Sequence, residues 1–538
     1  MRLCPWLLLA AMTFGPAAVA EDPVPDDAAV EAEGAVIRDV IIRAGNIFDT
    51  DADGEDRWLY RLINRLHRVT RTPVLRRQLL FQPGDTFSSH DMEETERLLR
   101  ESDYLYDAEV RPVGYDGDAV DVEVITRDVW SLQGGIGFGR SGGKNTTRIG
   151  LEDENFLGLG KEVTFMRESG VDRTTSLLGY IDPNLLNRRF QLRLGYSDNS
   201  DGKLMRLALE RPFYRMDSRW AAGIRMVSDR RIDPQYQLGR LTNEFGHEEE
   251  FLEIYGGRSR GLQGGKTRRL TAGITVDRDR FSVSPQFPEP GILPQDRDLV
   301  YPWIAVEALH DRFIVARDMD KLHRSEDRNI GRHYRVRLGF ASSSFGSDRD
   351  QAIVKAEYGS GLASGTRHLL FYDGYLSGRF GSSESENIQA GGAVRYYFRK
   401  WSKSRLYGSL GWDMARKLDP ENQLLIGGDS GLRGYPLRYQ SGDRRALLTL
   451  EQRWYTDWHL FKLIRVGAAA FVDAGRAWYA DGTGPKQYGW LGDAGVGLRL
   501  GSSRTSSGSM VHIDLATPLA GDPSLSSWQI SINTRNTF

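Results

Sequence analysis

From Val129 to Phe538 the chain repeats one kind of patterning: short segments alternate apolar and polar residues between turns rich in Gly, Asp, Asn and Ser. In Val466–Gly475, Val466, Ala468, Ala470 and Val472 take one face, and Gly467, Ala469, Phe471 and Asp473 the other. Val511, Ile513 and Leu515 alternate with His512, Asp514 and Ala516, and Trp528, Ile530 and Ile532 with Gln529, Ser531 and Asn533. A period of two predicts strands with one apolar face. Upstream the texture changes. Val36–Arg43 is a short β-branched strand ending at the turn Gly45-Asn46. Trp58, Leu59, Leu62, Ile63 and Leu66 then recur at helical spacing, predicting an amphipathic helix with one buried stripe. Val74–Leu80 reads as a second, short helix, and Ser88 with Asp91 as the capping start of a helix over 89–102. Tyr104–Val113 and Ala119–Thr126 alternate around Asp116-Gly117, a hairpin signal. Residues 35–127 are therefore predicted to form a small α+β domain.

The first residues carry a different signal. Arg2, the apolar run Trp6–Phe14 and the small residues Ala18-Val19-Ala20 read as a secretory leader over residues 1–20. The sole cysteine, Cys4, lies within it, so the exported chain is expected to build no disulfides. Residues 21–34, acidic and rich in Pro and Ala, are predicted to be a disordered linker. Beyond Ala20 no run of apolar residues is long enough for a transmembrane helix. Balanced charge, 71 basic against 73 acidic side chains, gives no whole-chain case for a nucleic-acid partner. Glycine, 59 of 538 residues, exceeds the usual ~7%. An exported chain of alternating strands without a helical anchor is best read as a transmembrane β-barrel over residues 128–538. A soluble sandwich or propeller would also alternate, but no blade-length repeat is present.

Three segments sharpen this. Gly427-Gly428-Asp429-Ser430-Gly431-Leu432-Arg433-Gly434-Tyr435, Phe471-Val472-Asp473-Ala474-Gly475 and His512-Ile513-Asp514-Leu515-Ala516-Thr517-Pro518 resemble signatures of the bacterial surface-antigen superfamily of outer-membrane insertases and translocators. Asn155-Phe156-Leu157-Gly158-Leu159-Gly160 is similar to the motif after the family's second barrel strand. Gly45-Asn46, Leu79–Asp85, Glu94–Arg100 and Tyr104–Val110 are similar to one POTRA domain, the family's periplasmic module, with residues 48–72 inserted after its first strand. The resemblance implies a sixteen-stranded barrel, whereas counting the alternating segments gives about twenty. It also implies that Leu432, Arg433, Gly434 and Tyr435 tip a long loop folded back into the barrel.

Alternation by itself directs Asp473, Asp514 and Glu451 toward the lumen, where a guanidinium could pair with them bidentately. Scattered lumenal charges would be the plainer reading. The resemblance implies that Arg433 meets these carboxylates and anchors the loop. The first barrel strand is glycine-rich at Gly134, Gly135, Gly137 and Gly139, which weakens a strand interior. Its pairing with the last strand, carrying Trp528, Ile530, Ile532 and Phe538, is expected to be the barrel's weakest seam. Crowding of these glycines against the internal loop is the equal alternative. In the α+β domain the strand edge at Val36, Val40 and Ile42 is the expected place for an unfolded client to add as a strand.

Other signals lead nowhere. Gly137–Gly142 spells G-x-G-x-x-G but no helix follows. Gly428-Asp429-Ser430-Gly431 lacks companion catalytic motifs, and Asp49, Asp51, Asp53 and Gly54 match only half of a calcium loop, with Tyr60 at the position of its bidentate Glu. No enzyme activity, metal or cofactor is expected. The expected role is assembly or translocation of unfolded outer-membrane or secreted proteins in the outer membrane of a Gram-negative bacterium, with the α+β domain in the periplasm. Expected partners are those clients and outer-membrane lipids, with an accessory periplasmic partner or a homo-oligomer left open. The alternatives are a porin-like or structural surface antigen and a lipid-handling barrel.

Overall fold

A computed structural model describes residues 26–538 except 52–54, 323, 366, 383, 483–487, 506–509 and 536–538. The leader over residues 1–20 and the terminal Phe538 lie outside the described residues.

The N-terminal domain runs α1 (Asp27–Ala32), β1 (Val36–Gly45), α2 (Trp58–Leu66), α3 (Thr72–Arg76), α4 (Ser89–Arg100), β2 (Leu105–Tyr115) and β3 (Ala119–Asp128). Its sheet has the order β1-β3-β2, with β1 parallel and β2 antiparallel to the central β3. The helices between β1 and β2 provide the long crossover that parallel pairing needs. Ile37, Val40, Val120, Val122 and Val124 bury one sheet face against Leu75, Met92 and Leu99. Ser88 Oγ accepts from Asp91 N at 3.3 Å and starts α4 where the sequence placed it.

Three local expectations need correction. Residues 26–33 are not a disordered tether: Asp26 caps α1 by accepting from Ala29 N at 2.8 Å, and Val30 is fully buried in the domain core. A single anchoring valine in an Ala-rich run leaves no period to read. The second helix is α3, ending at Arg76, and Leu79 reaches the core from irregular backbone. The apolar stripe of α2 faces outward; the buried side chain is Tyr60, stacked on Phe48 with ring centroids 4.3 Å apart.

Downstream, twenty antiparallel strands close into a barrel, from Leu132–Ser141 to Gln529–Arg535. The pattern count therefore holds, and the sixteen implied by resemblance does not. The strands alternate as read: Val472, Leu515 and Ile530 are exposed on the outside, while Asp473, Asp514 and Ser531 are buried inside. Exposed Ile136, Ile254, Ile274 and Ile304 continue the apolar outer surface around the wall, the band a membrane barrel presents to lipid.

The α+β domain docks under one mouth through the motif Asn155–Gly160. Asn155 Nδ2 donates to Thr70 Oγ1 at 2.8 Å, and Thr70 Oγ1 in turn donates to Asp128 at 2.9 Å. Gly158 has φ +72°, and a Cβ there would lie 2.6 Å from the Val69 carbonyl oxygen. Glycine at this position lets the domain close against the turn.

Candidate functional site

The site is built inside the wall by the strands Arg444–Leu460, Ile464–Trp478, Leu491–Ser502 and Met510–Pro518. Period-two alternation turns Glu451 and Arg453 of the first strand inward, with Phe471 and Asp473, Asp493 and Arg499, and His512 and Asp514 of the next three. The loop 417–443 enters from the far mouth and delivers Leu432–Tyr435 to them. Arg433 Nε and Nη2 donate to the two oxygens of Asp473 at 2.8 and 3.1 Å, and Nη1 donates to Glu451 at 2.8 Å. Asp514 stands 3.6 Å from Nη1, an ion pair without a hydrogen bond. The guanidinium also lies 3.2 Å from the ring centroid of Phe471.

The remaining contacts shape the loop tip. Gly434 N donates to Asp493 at 3.1 Å, and a Cβ on Gly434 would lie 2.7 Å from that of Asp493, so a larger residue would push the tip off the wall. The Tyr435 hydroxyl donates to Gly492 O at 2.8 Å, and Leu432 is fully buried. The structure thus brings Arg433 together with all three carboxylates named from the sequence, of which Asp473 holds the strongest geometry.

Two arginines complete the cluster that the sequence reading left out. Arg499 donates to Asp514 at 2.5 Å and to Glu451 at 3.1 Å, and Arg453 donates to Glu451 at 3.0 Å. Both lie on the inward register of their strands, two residues from Glu451 and from Gly497, so alternation was enough to place them in the lumen. Arg453 also donates to Met319 O at 2.8 Å, which ties the cluster to a second insertion. That insertion, residues 311–332, is a hairpin of Phe313–Arg317 and Ser325–Asn329 folded into the lumen from the mouth nearer the α+β domain. Tyr455 donates to Asp318 O at 2.8 Å and Tyr397 to Asp320 at 3.1 Å, while Ala316 and Met319 pack on Tyr397 and Tyr407. At its base Arg100 of α4 grips Asp327 through two bonds of 2.8 Å, and Arg97 lies 3.8 Å from the Phe313 ring centroid. The two insertions therefore meet at Arg453 and Glu451, linking the α+β domain to Arg433 through consecutive polar contacts.

The far mouth is spanned by the same loop. Arg438 pairs with Asp172, Tyr236 N donates to Gln423 at 2.8 Å, Arg379 donates to Asp419 at 2.9 Å, and Ser141 donates to Gly428 O at 2.7 Å. These partners lie on widely separated strands, so the loop bridges the opening.

The seam between the last and first strands has one ladder pair among the described residues, Ile532 with Arg140. Every other neighbouring pair in the barrel has seven or more, such as Ile513 with Ile532 in the adjacent ladder. Gly134, Gly137 and Gly139 face only cross-strand neighbours, Leu151, Arg148, Thr146 and Ile532, and nothing lies within 4 Å of a Cβ on Gly135. Crowding by the loop therefore does not account for these four glycines; the loop presses instead on Gly142, in the turn beyond them. Trp528 and Ile530 are exposed on the outer face next to this seam. On its inner side a cavity of about 550 Å³ separates the seam from the loop, lined by Gly137, Gly139, Arg148, Arg438 and Asn533.

The expected client edge is narrower than the sequence suggested. β1 is an edge strand, but Val36 already bridges Thr86, and Ile37 exchanges bonds with residues 84 and 85 at 2.8 and 2.9 Å. Val40 follows a register shift, and its side chain is in the core, so it is a packing residue. The turn at Gly84 folds back to cover the start of the strand. Ile42 and the residues up to Gly45 form the part left uncovered by this turn.

The fold and this cluster define a class: a closed β-barrel, plugged from both mouths, behind one small α+β domain. Residues 66–127 match the POTRA family, described as surface antigen variable number repeat. That match covers most of the α+β domain, which carries one POTRA module. Over 121 residues the chain is 31% identical to the "Putative outer membrane protein assembly factor" of Treponema pallidum (strain Nichols), a stretch covering 21% of this chain and 14% of that protein. The chain thus spans a small part of the length of that curated relative. Among solved structures it is similar to BamA from Haemophilus ducreyi lacking POTRA domains 1–3, at 14% identity and a TM-score of 0.39 over 92% of this chain and 84% of that one. It is also similar to CdiB from Escherichia coli, at 13% identity and a TM-score of 0.46 over 93% and 76%.

Proposed function

We propose that this chain is an outer-membrane assembly or translocation barrel whose POTRA domain faces the periplasm. An unfolded client adds to the uncovered end of β1, from Ile42 to Gly45, and passes into lipid or across the membrane at the seam between Leu132–Ser141 and Gln529–Arg535. The observation that carries this reading is the seam: one ladder pair among the described residues, beside glycines that the internal loop does not crowd. Backbone groups that lack a ladder partner against lipid are the groups a client strand would satisfy. Arg433 holds the loop against the wall, a locking role with no turnover. No nucleotide is needed, since the client gains buried apolar surface and paired backbone groups as it inserts.

Quantitative proteomics of the outer membrane and culture supernatant, on depletion of this protein, tests the proposal. Loss of several barrel proteins from the membrane means an insertase, and loss of one or two exported proteins means a dedicated translocator. Unchanged fractions overturn both and leave the porin-like and lipid-handling alternatives. A lysine at Val40 is no test of client capture, because that side chain is buried in the domain core.

A further inference from the structure

Helix α2 carries its apolar residues on the wrong side for a buried helix. Trp58 is 71% exposed, Leu66 66%, Leu62 42% and Leu59 38%, four large side chains on one arc of a nine-residue helix. The opposite side is fixed to the barrel. Tyr60 donates through its hydroxyl to Phe461 O at 2.9 Å, and Ile63, Trp130 and Leu463 pack against the cluster of Ile47, Phe48 and Tyr60. Phe461 and Leu463 belong to the turn joining the strands Arg444–Leu460 and Ile464–Trp478, so α2 is bolted to the rim of the wall. Beside it the barrel's outer surface ends in Trp458, Leu460 and Phe461, themselves 67%, 46% and 77% exposed. The turn that holds α2 is thus the turn at which the barrel's exposed apolar surface ends. Along one flank of the arc Arg57, Arg61 and Arg65 recur at one-turn spacing.

We infer that α2 lies in the membrane surface, with Trp58, Leu59, Leu62 and Leu66 immersed in the periplasmic leaflet and Arg57, Arg61 and Arg65 at the level of its phosphates. The occupant of this face is lipid. An apolar arc joined to a membrane band, flanked by cations, is the build of an interfacial helix. Long arginine side chains reach the headgroups while their stems cover apolar surface. Immersion holds the POTRA domain against the membrane on the side of the closing strands: Arg504, in the turn before the strand Met510–Pro518, donates to Ile47 O at 2.8 Å just ahead of α2. The inference rests on the reading of the barrel as embedded in a bilayer.

The sole cysteine, Cys4, is removed by Cys4→Ser, which leaves single-cysteine labelling free of background. The full chain, folded into phosphatidylethanolamine–phosphatidylglycerol vesicles, carries a fluorophore at Leu62→Cys, Arg61→Cys or Val472→Cys, the last on the outer face of the barrel. Quenching by doxyl-labelled lipid is compared with quenching by iodide present on both sides. The expected result is strong lipid quenching and several-fold weaker iodide quenching at positions 62 and 472, with the reverse at 61. Leu66→Cys repeats the test at the other end of the helix. Lipid quenching at 472 with iodide quenching at 62 and 66 equal to that at 61 overturns the inference and leaves the membrane barrel standing. Iodide access at 472 as well overturns both. Iodide access at 62 that is lost only when an unfolded protein is added assigns the face to clients and overturns the inference.

Discussion

Arg433→Ala is expected to cost the loop its lock. Arg433, Asp473, Glu451 and Asp514 are each buried to within a few per cent of complete exclusion. Removing one partner of a buried ion pair typically costs about 3–5 kcal/mol, because the other is left charged and unpaired. The loss falls unevenly. Glu451 keeps Arg453 and Arg499, and Asp514 keeps Arg499, whereas Asp473 loses the bidentate bonds that satisfied both its oxygens. The variant should show a smaller fraction of the compact, heat-modifiable form on semi-native gels and a lower urea midpoint. Arg433→Lys should fall between the two, since it keeps the charge and loses the fork. Asp473→Asn in the Arg433→Ala background should recover part of the loss by removing the stranded charge. Wild-type heat-modifiability and urea midpoint in Arg433→Ala would show that the loop is held by its other contacts alone.

The second large effect concerns the lumen. Barrels of 16–18 strands leave an aqueous channel when unfilled, so a wall of twenty needs material inside it to stay closed. Here the hairpin 311–332 fills one end, the loop 417–443 spans the other, and they touch through Arg453 and Glu451. In planar bilayers the intact chain should show little steady current. Replacing residues 313–329 and 419–441 together by short Gly-Ser links should give a steady, porin-like conductance, and either replacement alone an intermediate one. A wild-type conductance equal to that of the double replacement would favour the porin-like alternative.

How much of this was legible in the sequence depends on the scale of the signal. Alternation is local, so the inward register of Asp473, Asp514 and Glu451 could be read from single strands, and the number of strands from counting them. Arg453 and Arg499 obey the same rule, but their partners sit on other strands, and spacing along the chain does not state which strands are neighbours. The hairpin 311–332 was the least legible element. Phe313–Arg317 and Ser325–Asn329 look like any short strands, and nothing local says that they pair with each other inside the wall. For α2 the helical period was plain, but periodicity reports an apolar face without naming what covers it. The covered start of β1 went unread for a related reason: the segment around Gly84 that returns to Val36 is distant in sequence.

Passage of a client in this way requires the seam to open. Ile532 and Arg140 are antiparallel partners. Such partners hold Cα atoms about 4.5–5.5 Å apart, within reach of a disulfide. Arg140→Cys with Ile532→Cys in an otherwise cysteine-free chain should therefore form one bond in an oxidising compartment and close the seam. The measurement is outer-membrane and supernatant proteomics in a depletion strain complemented by this double variant, with and without a permeant reductant. The oxidised variant should fold and reach the membrane yet fail to restore the client proteins, and reduction should restore them. Full restoration with the disulfide verified as closed would contradict passage at the seam.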